Sequence, residues 1–134
     1  MEKYVVDTNV IIDFLRGDVT LYPFFFALEN KGISGFFSVI TEIELLWCCK
    51  EDKERNKIKE LLSMLERINV DESLVSIVCK CKQKSSMIEL PDAIIAATSM
   101  KASCQLATRN TKHFRDIEGV KLFDPTEFHI VNKP

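Results

Sequence analysis

Residues 4–9 read Tyr4-Val5-Val6-Asp7-Thr8-Asn9. Three apolar residues in a row, closed at once by a carboxylate, describe a central strand buried on both faces and ending at Asp7. An edge strand with one wet face would alternate instead. A strand of this kind needs neighbours beside it and helices over it, and the flanking sequence supplies both. Asn9 is placed to cap a helix that starts with Val10-Ile11-Ile12 and fades near Gly17. Residues 22–30 read as a second helix, closed by Lys31-Gly32, and 33–37 as a second strand. Ser38 is placed to cap a third helix carrying Ile40, Ile43, Leu46 and Trp47. Residues 54–68 predict an amphipathic helix with Ile58, Leu61, Leu62, Leu65 and Ile68 on one stripe, followed by a short strand at 68–70. Asp71 or Ser73 caps a helix bearing Leu74, Ile77, Val78 and Cys81. Pro91 suits the first turn of a helix over 92–100, apolar enough to be buried all round. Strands at 104–107 and 120–123 complete the set. Strands separated by helices, with no repeat or linker, predict an α/β protein: a single domain over residues 1–134, built on a parallel β-sheet flanked by helices.

Composition narrows the function classes. With 134 residues, 46% of them apolar, the chain can bury one continuous core and is too short for two. Charged residues make up 28%, and four glycines and four prolines leave no room for a disordered or fibrous design. The five cysteines (Cys48, Cys49, Cys79, Cys81, Cys104) form no CxxC spacing. They read as free thiols of a reducing compartment rather than a zinc or redox site. Met1-Glu2-Lys3-Tyr4 leads straight into a strand with no signal-peptide layout, and the apolar runs are too short to span a bilayer. The expectation is a cytoplasmic protein without a membrane segment. Its net charge of −2 hides an asymmetry: residues 1–49 carry three basic and seven acidic side chains, residues 80–115 seven basic and two acidic. That division fits a cation site beside a polyanion track, and fits ordinary solvated surface equally well.

In open parallel sheets, ligands bind beyond the carboxyl ends of the strands. Asp7 closes the first strand, Ser38 the second, and Thr108-Arg109-Asn110 the strand at 104–107. Glu44 follows soon after Ser38, and Asp92 lies in the first turn after Pro91. Asp92 is flanked by Leu90, Ala93, Ile94, Ile95, Ala96 and Ala97, so its carboxylate stands at the mouth of a buried helix, where a lone charge is costly and a cation is a natural partner. Each acid by itself has a plainer explanation. Asp7 could be an Asx-type cap, Asp92 a helix-dipole residue worth about 0.3–1 kcal/mol, and Glu44 a surface residue in competition with Glu42. Their convergence on one end of one sheet is what points to a site, and hard oxygen ligands suit Mg²⁺ or Mn²⁺. His113 and His129 are the only histidines and neither adjoins a Ser or Cys nucleophile motif, nor is there a Gly-rich phosphate loop.

The segments YVVDTN at 4–9, SVITEIEL at 38–45, LPDAIIAAT at 90–98 and LATRNTKHF at 106–114 together resemble the PIN-domain nucleases. Within them the chain is similar to the toxin half of VapBC-type toxin–antitoxin modules, over nearly its whole length. The resemblance implies a metal-dependent endoribonuclease whose metal ligands are Asp7, Glu44 and Asp92, with Mg²⁺ or Mn²⁺ as cofactor. The S-x-x-T-x-x-E-L frame selects Glu44 over Glu42. The family's fourth acidic position falls on Asn110, counted with the catalytic set but without a charge. Thr8, Asn9, Ser38 and Thr108 would orient the carboxylates. The implied chemistry needs no side-chain nucleophile: the metal holds a scissile phosphate and activates water. RNA is the implied substrate, with Arg109, Lys112, Lys80, Lys82 and Lys84 as candidate backbone contacts. An antitoxin protein and a second copy of the chain are the implied partners, with the Tyr22 to Phe26 run as a surface for one of them. Two other readings compete. A haloacid-dehalogenase-type phosphatase would need a second Asp where Asn9 stands. A PIN-like module that binds RNA or protein without catalysis draws its support from Asn110.

Overall fold

A computed structural model describes residues 1–129. Strand β1 (Lys3–Val6) has Tyr4, Val5 and Val6 almost wholly out of water, as its sequence requires. Its neighbours are β2 (Ser34–Ser38) on one side and β4 (Gln105–Ala107) on the other, both parallel to it. Beyond them lie β3 (Glu66–Ile68), paired with β2, and β5 (Leu122–Phe123), paired with β4, giving the all-parallel order β3-β2-β1-β4-β5. The chain winds outward from β1 through β2 to β3, then returns to β4 and winds the other way. The order therefore reverses between β1 and β4, and the crevice past their carboxyl ends is where such a sheet offers a binding site.

Successive β1 side chains point to opposite faces. Tyr4 and Val6 join a core with α1 (Thr8–Leu15), α2 (Tyr22–Glu29) and α4 (Asp52–Leu62), which contribute Ile11, Phe24, Phe25, Leu28, Ile58 and Leu61. Val5 and Leu106 face the other core, under α5 (Val75–Lys84), α6 (Leu90–Lys101) and α7 (Thr111–Phe114). Helix α6 supplies Ala93, Ile95, Ala96 and Ala97 there, small residues that let it lie close to the sheet. Helix α3 (Val39–Leu46) rises from the end of β2, with Ser38 Oγ accepting the Ile40 N–H at 3.1 Å. A side chain at Gly35 would meet the ends of the Leu28 and Leu65 side chains, so glycine lets both pack closely over β2.

Several local expectations are corrected. The helix expected over 54–68 ends at Leu62, and Glu66–Ile68 is strand instead. Leu65 continues the helical stripe on paper, but in space it turns under Gly35 while the next residues pair with β2. The N-cap position of the first helix is held by Asp7, whose side chain makes no capping hydrogen bond, and not by Asn9, which is exposed in the first turn. On α3 the buried pair is Thr41 and Leu45, while Ile43 and Trp47, two of the apolar residues read on this helix, are 53% and 80% exposed. Among the described residues no helix is long and apolar enough to cross a membrane, and all five cysteines are free.

Candidate functional site

The reversal of strand order puts the end of β1 beside the end of β4. The Asp7 backbone N–H donates to Ala107 O at 3.0 Å, so the ladder runs one residue past β1 and fixes Asp7 at the crevice. The Asp7 side chain is buried, and its Oδ2 accepts a hydrogen bond from Thr108 Oγ1 at 2.9 Å. Burial is the main force on this carboxyl and, with repulsion from the Asp92 and Glu44 carboxylates, pushes its pKa up to about 6. The Thr108 hydroxyl and the Thr8 backbone N–H oppose the rise without cancelling it.

Thr8 follows directly and is also buried. Its Oγ1 lies 2.8 Å from Glu44 Oε1 and 3.0 Å from Thr41 Oγ1. One hydroxyl proton can serve only one acceptor, and the carboxylate is the stronger, so Thr8 donates to Glu44 and accepts from Thr41. Helix α3 thus directs Glu44 toward the crevice. Glu42, two residues earlier, points away to the sheet edge, where Arg67 Nε and Nη2 grip it at 2.6 and 3.0 Å. Asp92 enters from the first turn of α6, which Pro91 helps to start. Its side chain is 32% exposed, and His113 Nε2 lies 3.1 Å from its Oδ2.

Asn110 is exposed; it precedes α7 and its side chain caps nothing. Its backbone N–H donates to Thr108 Oγ1 at 3.1 Å. The side chain of this segment that reaches Asp92 is His113, which sequence reasoning set aside. Helix α7 has four residues, too few to show a period, and the contact spans 21 positions of sequence. Arg109, expected to meet a polyanion, instead bridges Asp13 (3.1 Å) and Asp18, tying the end of β4 to α1 and the turn after it. Lys82 Nζ donates to the backbone carbonyls of Ser86 and Ile88, while Lys80, Lys84 and Lys112 are exposed.

The crevice is therefore acidic and lined by hard oxygen donors. Among the described residues neither Asp7 nor Glu44 is paired with a lysine or arginine. No three His, Cys, Asp or Glu side chains among them close into a ready-made ligand cage. Mg²⁺ seldom asks for one, since it keeps several waters and takes one or two carboxylates.

The PIN domain family matches residues 4–120, from β1 to just before β5. The chain belongs to the PIN-domain family. No curated protein sequence matches this PIN domain. Among solved structures it is similar to a chain of a toxin–antitoxin complex from Klebsiella pneumoniae, with 31% identity, 91% of this chain and 97% of that one covered, and a TM-score of 0.74. It is also similar to a chain of FitAcB from Neisseria gonorrhoeae, at 25% identity with 93% and 99% covered and a TM-score of 0.76. DNA-bound VapBC from Salmonella typhimurium shares the fold at 19% identity, with 93% and 99% covered and a TM-score of 0.80.

Proposed function

We propose that this PIN domain is a divalent-metal-dependent endoribonuclease, the toxin of a toxin–antitoxin pair, that cleaves RNA phosphodiester bonds by attack of water. One observation carries the reading. Asp7 is buried at the strand-order reversal, with two further carboxylates raising its pKa and, among the described residues, no lysine or arginine paired with it. A fold keeps so costly an arrangement when something positive is meant to enter it. Asp7, Glu44 and Asp92 would hold Mg²⁺ or Mn²⁺, and the donor set fits, being all carboxylate oxygen. Bound there, the cation would supply the positive charge that a phosphodiester needs to accept attack by a water of lowered pKa.

The protein's own share is to hold these oxygens still. Thr108 donates to Asp7, favouring its charged form, and Thr8 donates to Glu44 and fixes its direction. Asp92 is left open enough on its exposed side for substrate to approach. Of the candidate RNA contacts, Lys80, Lys84 and Lys112 are exposed and open to an RNA backbone, whereas Arg109 is committed to Asp13 and Asp18.

Kinship with chains from toxin–antitoxin complexes supports an antitoxin partner. A groove of about 320 Å³ between α1, α3 and α4, where Ile12, Leu15, Leu45 and Ile58 lie among the charged Arg16, Glu44, Glu54 and Lys57, offers a bed for an amphipathic antitoxin helix. Of the Tyr22 to Phe26 run, Phe24 and Phe25 are core, and Tyr22 and Phe26 form an exposed ridge for a second copy of the chain. A non-catalytic RNA- or protein-binding module is the second reading, favoured by Asn110 where the family has an acid. Purified protein incubated with RNA decides between them. Cutting with Mg²⁺ or Mn²⁺ that stops on adding EDTA supports the nuclease, and intact RNA under both conditions supports the binding module.

A further inference from the structure

The six residues Thr108 to His113 touch both ends of the acidic crevice. At one end Thr108 Oγ1 donates to Asp7 Oδ2 and accepts the Asn110 N–H. At the other, His113 Nε2 meets Asp92 Oδ2. Between them, the His113 backbone N–H donates to Asn110 O at 3.1 Å, closing the turn that starts α7. The short helix is anchored by Phe114, 1% exposed, and the His113 ring stands edge-on to the Phe114 ring with centroids 5.0 Å apart. The imidazole is thus placed by a turn locked to Asp7 and by a core aromatic.

Asp92 has no comparable support of its own. It belongs to another element, its side chain is one-third open to water, and the neighbouring Asp7 carboxylate repels it. A carboxylate in that position, left alone, would swing about its side-chain torsions and away from Asp7. We infer that His113 is a positioning residue: its Nε2–H holds Asp92 Oδ2 so that Oδ1 stays turned toward the crevice and available to a divalent cation. A neutral imidazole protonated on Nε2 is sufficient, and Nε2–H facing a carboxylate sets that tautomer. The inference rests on the metal-dependent reading above, and a direct binding measurement separates the two.

Mn²⁺ is titrated calorimetrically into the metal-free wild-type protein and into His113→Phe and His113→Gln, with thermal melts of each in EDTA. The phenylalanine keeps the ring and loses the donor, so Mn²⁺ affinity should fall about 10- to 100-fold, the usual cost of losing a ligand's supporting partner. The glutamine amide can still donate to Asp92 and should recover most of that loss, while the EDTA melts stay together. Should the phenylalanine variant not fold, His113→Ala gives the same reading. A donor-less variant that binds Mn²⁺ like wild type overturns the inference and leaves the metal site standing. Equal losses in the Phe and Gln variants, with lowered melts, also overturn it and make His113 a packing residue. A wild-type protein that takes up no Mn²⁺ sinks the metal-dependent reading and this inference with it.

Discussion

The end of β1 and the first turn of α6 each offer one carboxylate to the same crevice, yet the two are built on opposite terms. Asp7 is sealed in: it ends a strand buried on both faces, its backbone is caught in the β1–β4 ladder, and burial alone is the largest force on its pKa. Asp92 is half-open, started on its helix by Pro91 and held by a single side-chain contact from His113. A buried carboxylate is positioned rigidly but disfavours its own ionised form. A partly exposed one is free to turn and must be steered from outside. Pairing the two gives one fixed oxygen donor and one adjustable donor, an arrangement suited to a small cation that arrives with some of its waters.

If that contrast is right, removing either charge should cost activity alike while stability responds unequally. Asp7→Asn and Asp92→Asn should each lower RNA cleavage on the order of 10²–10³-fold, the loss typical of a preorganised electrostatic group. In metal-free protein above pH 7, Asp7→Asn should gain up to about 3 kcal/mol, since a carboxyl raised from 3.8 to about 6 carries that penalty when ionised. Asp92→Asn should gain less than Asp7→Asn, because it relieves only its own repulsion of Asp7 while burial, the largest cause, stays. Urea denaturation in EDTA measures both. An Asp7→Asn variant that unfolds more readily than wild type would make Asp7 a structural cap and dissolve the contrast.

The pH dependence of stability sharpens the same point. The folded Asp7 carboxyl binds its proton more tightly than the unfolded one, because its pKa is raised to about 6. Its contribution to stability is therefore complete below about pH 4 and is lost as pH rises through 6. The metal-free wild-type protein should lose about 3 kcal/mol over that window relative to Asp7→Asn. Parallel curves for the two proteins would show that Asp7 titrates like an exposed acid.

Both acids were legible in the sequence because each sits beside an unmistakable pattern, the Tyr4-Val5-Val6 run before Asp7 and the apolar turn after Asp92. What could not be read was geometry that breaks a pattern. Ile58, Leu61, Leu62, Leu65 and Ile68 keep a helical period past the point where the chain leaves the helix, since Leu65 is apolar for a different reason, the gap over Gly35. On α3 the period misleads outright: the inward face carries Thr41 because Thr8 and Glu44 meet there, and Ile43 and Trp47 are left outside. His113 was invisible because a four-residue helix has no period and its partner is 21 residues away. Sheet order, and with it the crevice between β1 and β4, becomes visible only in space.

The two glutamates of α3 extend the contrast to a single helix. Glu44→Gln should lower cleavage about 10²-fold. Glu42→Gln should leave cleavage within a factor of a few and lower stability only slightly through the loosened Arg67 pair. Equal activity losses would mean that Glu42 leaves Arg67 to join the site when cation and RNA arrive.

The smallest expected effect is at Asn110. If a fourth carboxylate were needed to complete the crevice, Asn110→Asp should make it bind Mn²⁺ far more tightly and take a second ion. The structure argues for less. Asn110 is exposed, its side chain caps nothing, and only its backbone is tied to Thr108, so an aspartate there would project into water. A charge in that setting acts through a high dielectric and is screened by salt, which limits the gain in Mn²⁺ affinity to under about tenfold at low ionic strength. The gain should shrink as salt is raised, and the stability of the metal-free protein should barely move. Calorimetric titrations of Asn110→Asp at low and high salt test this directly. A tight second Mn²⁺ that persists in high salt would show the side chain at position 110 turning inward on metal binding, and the crevice would then be a four-acid site lacking one charge rather than a buried and a half-open acid with Glu44 beside them.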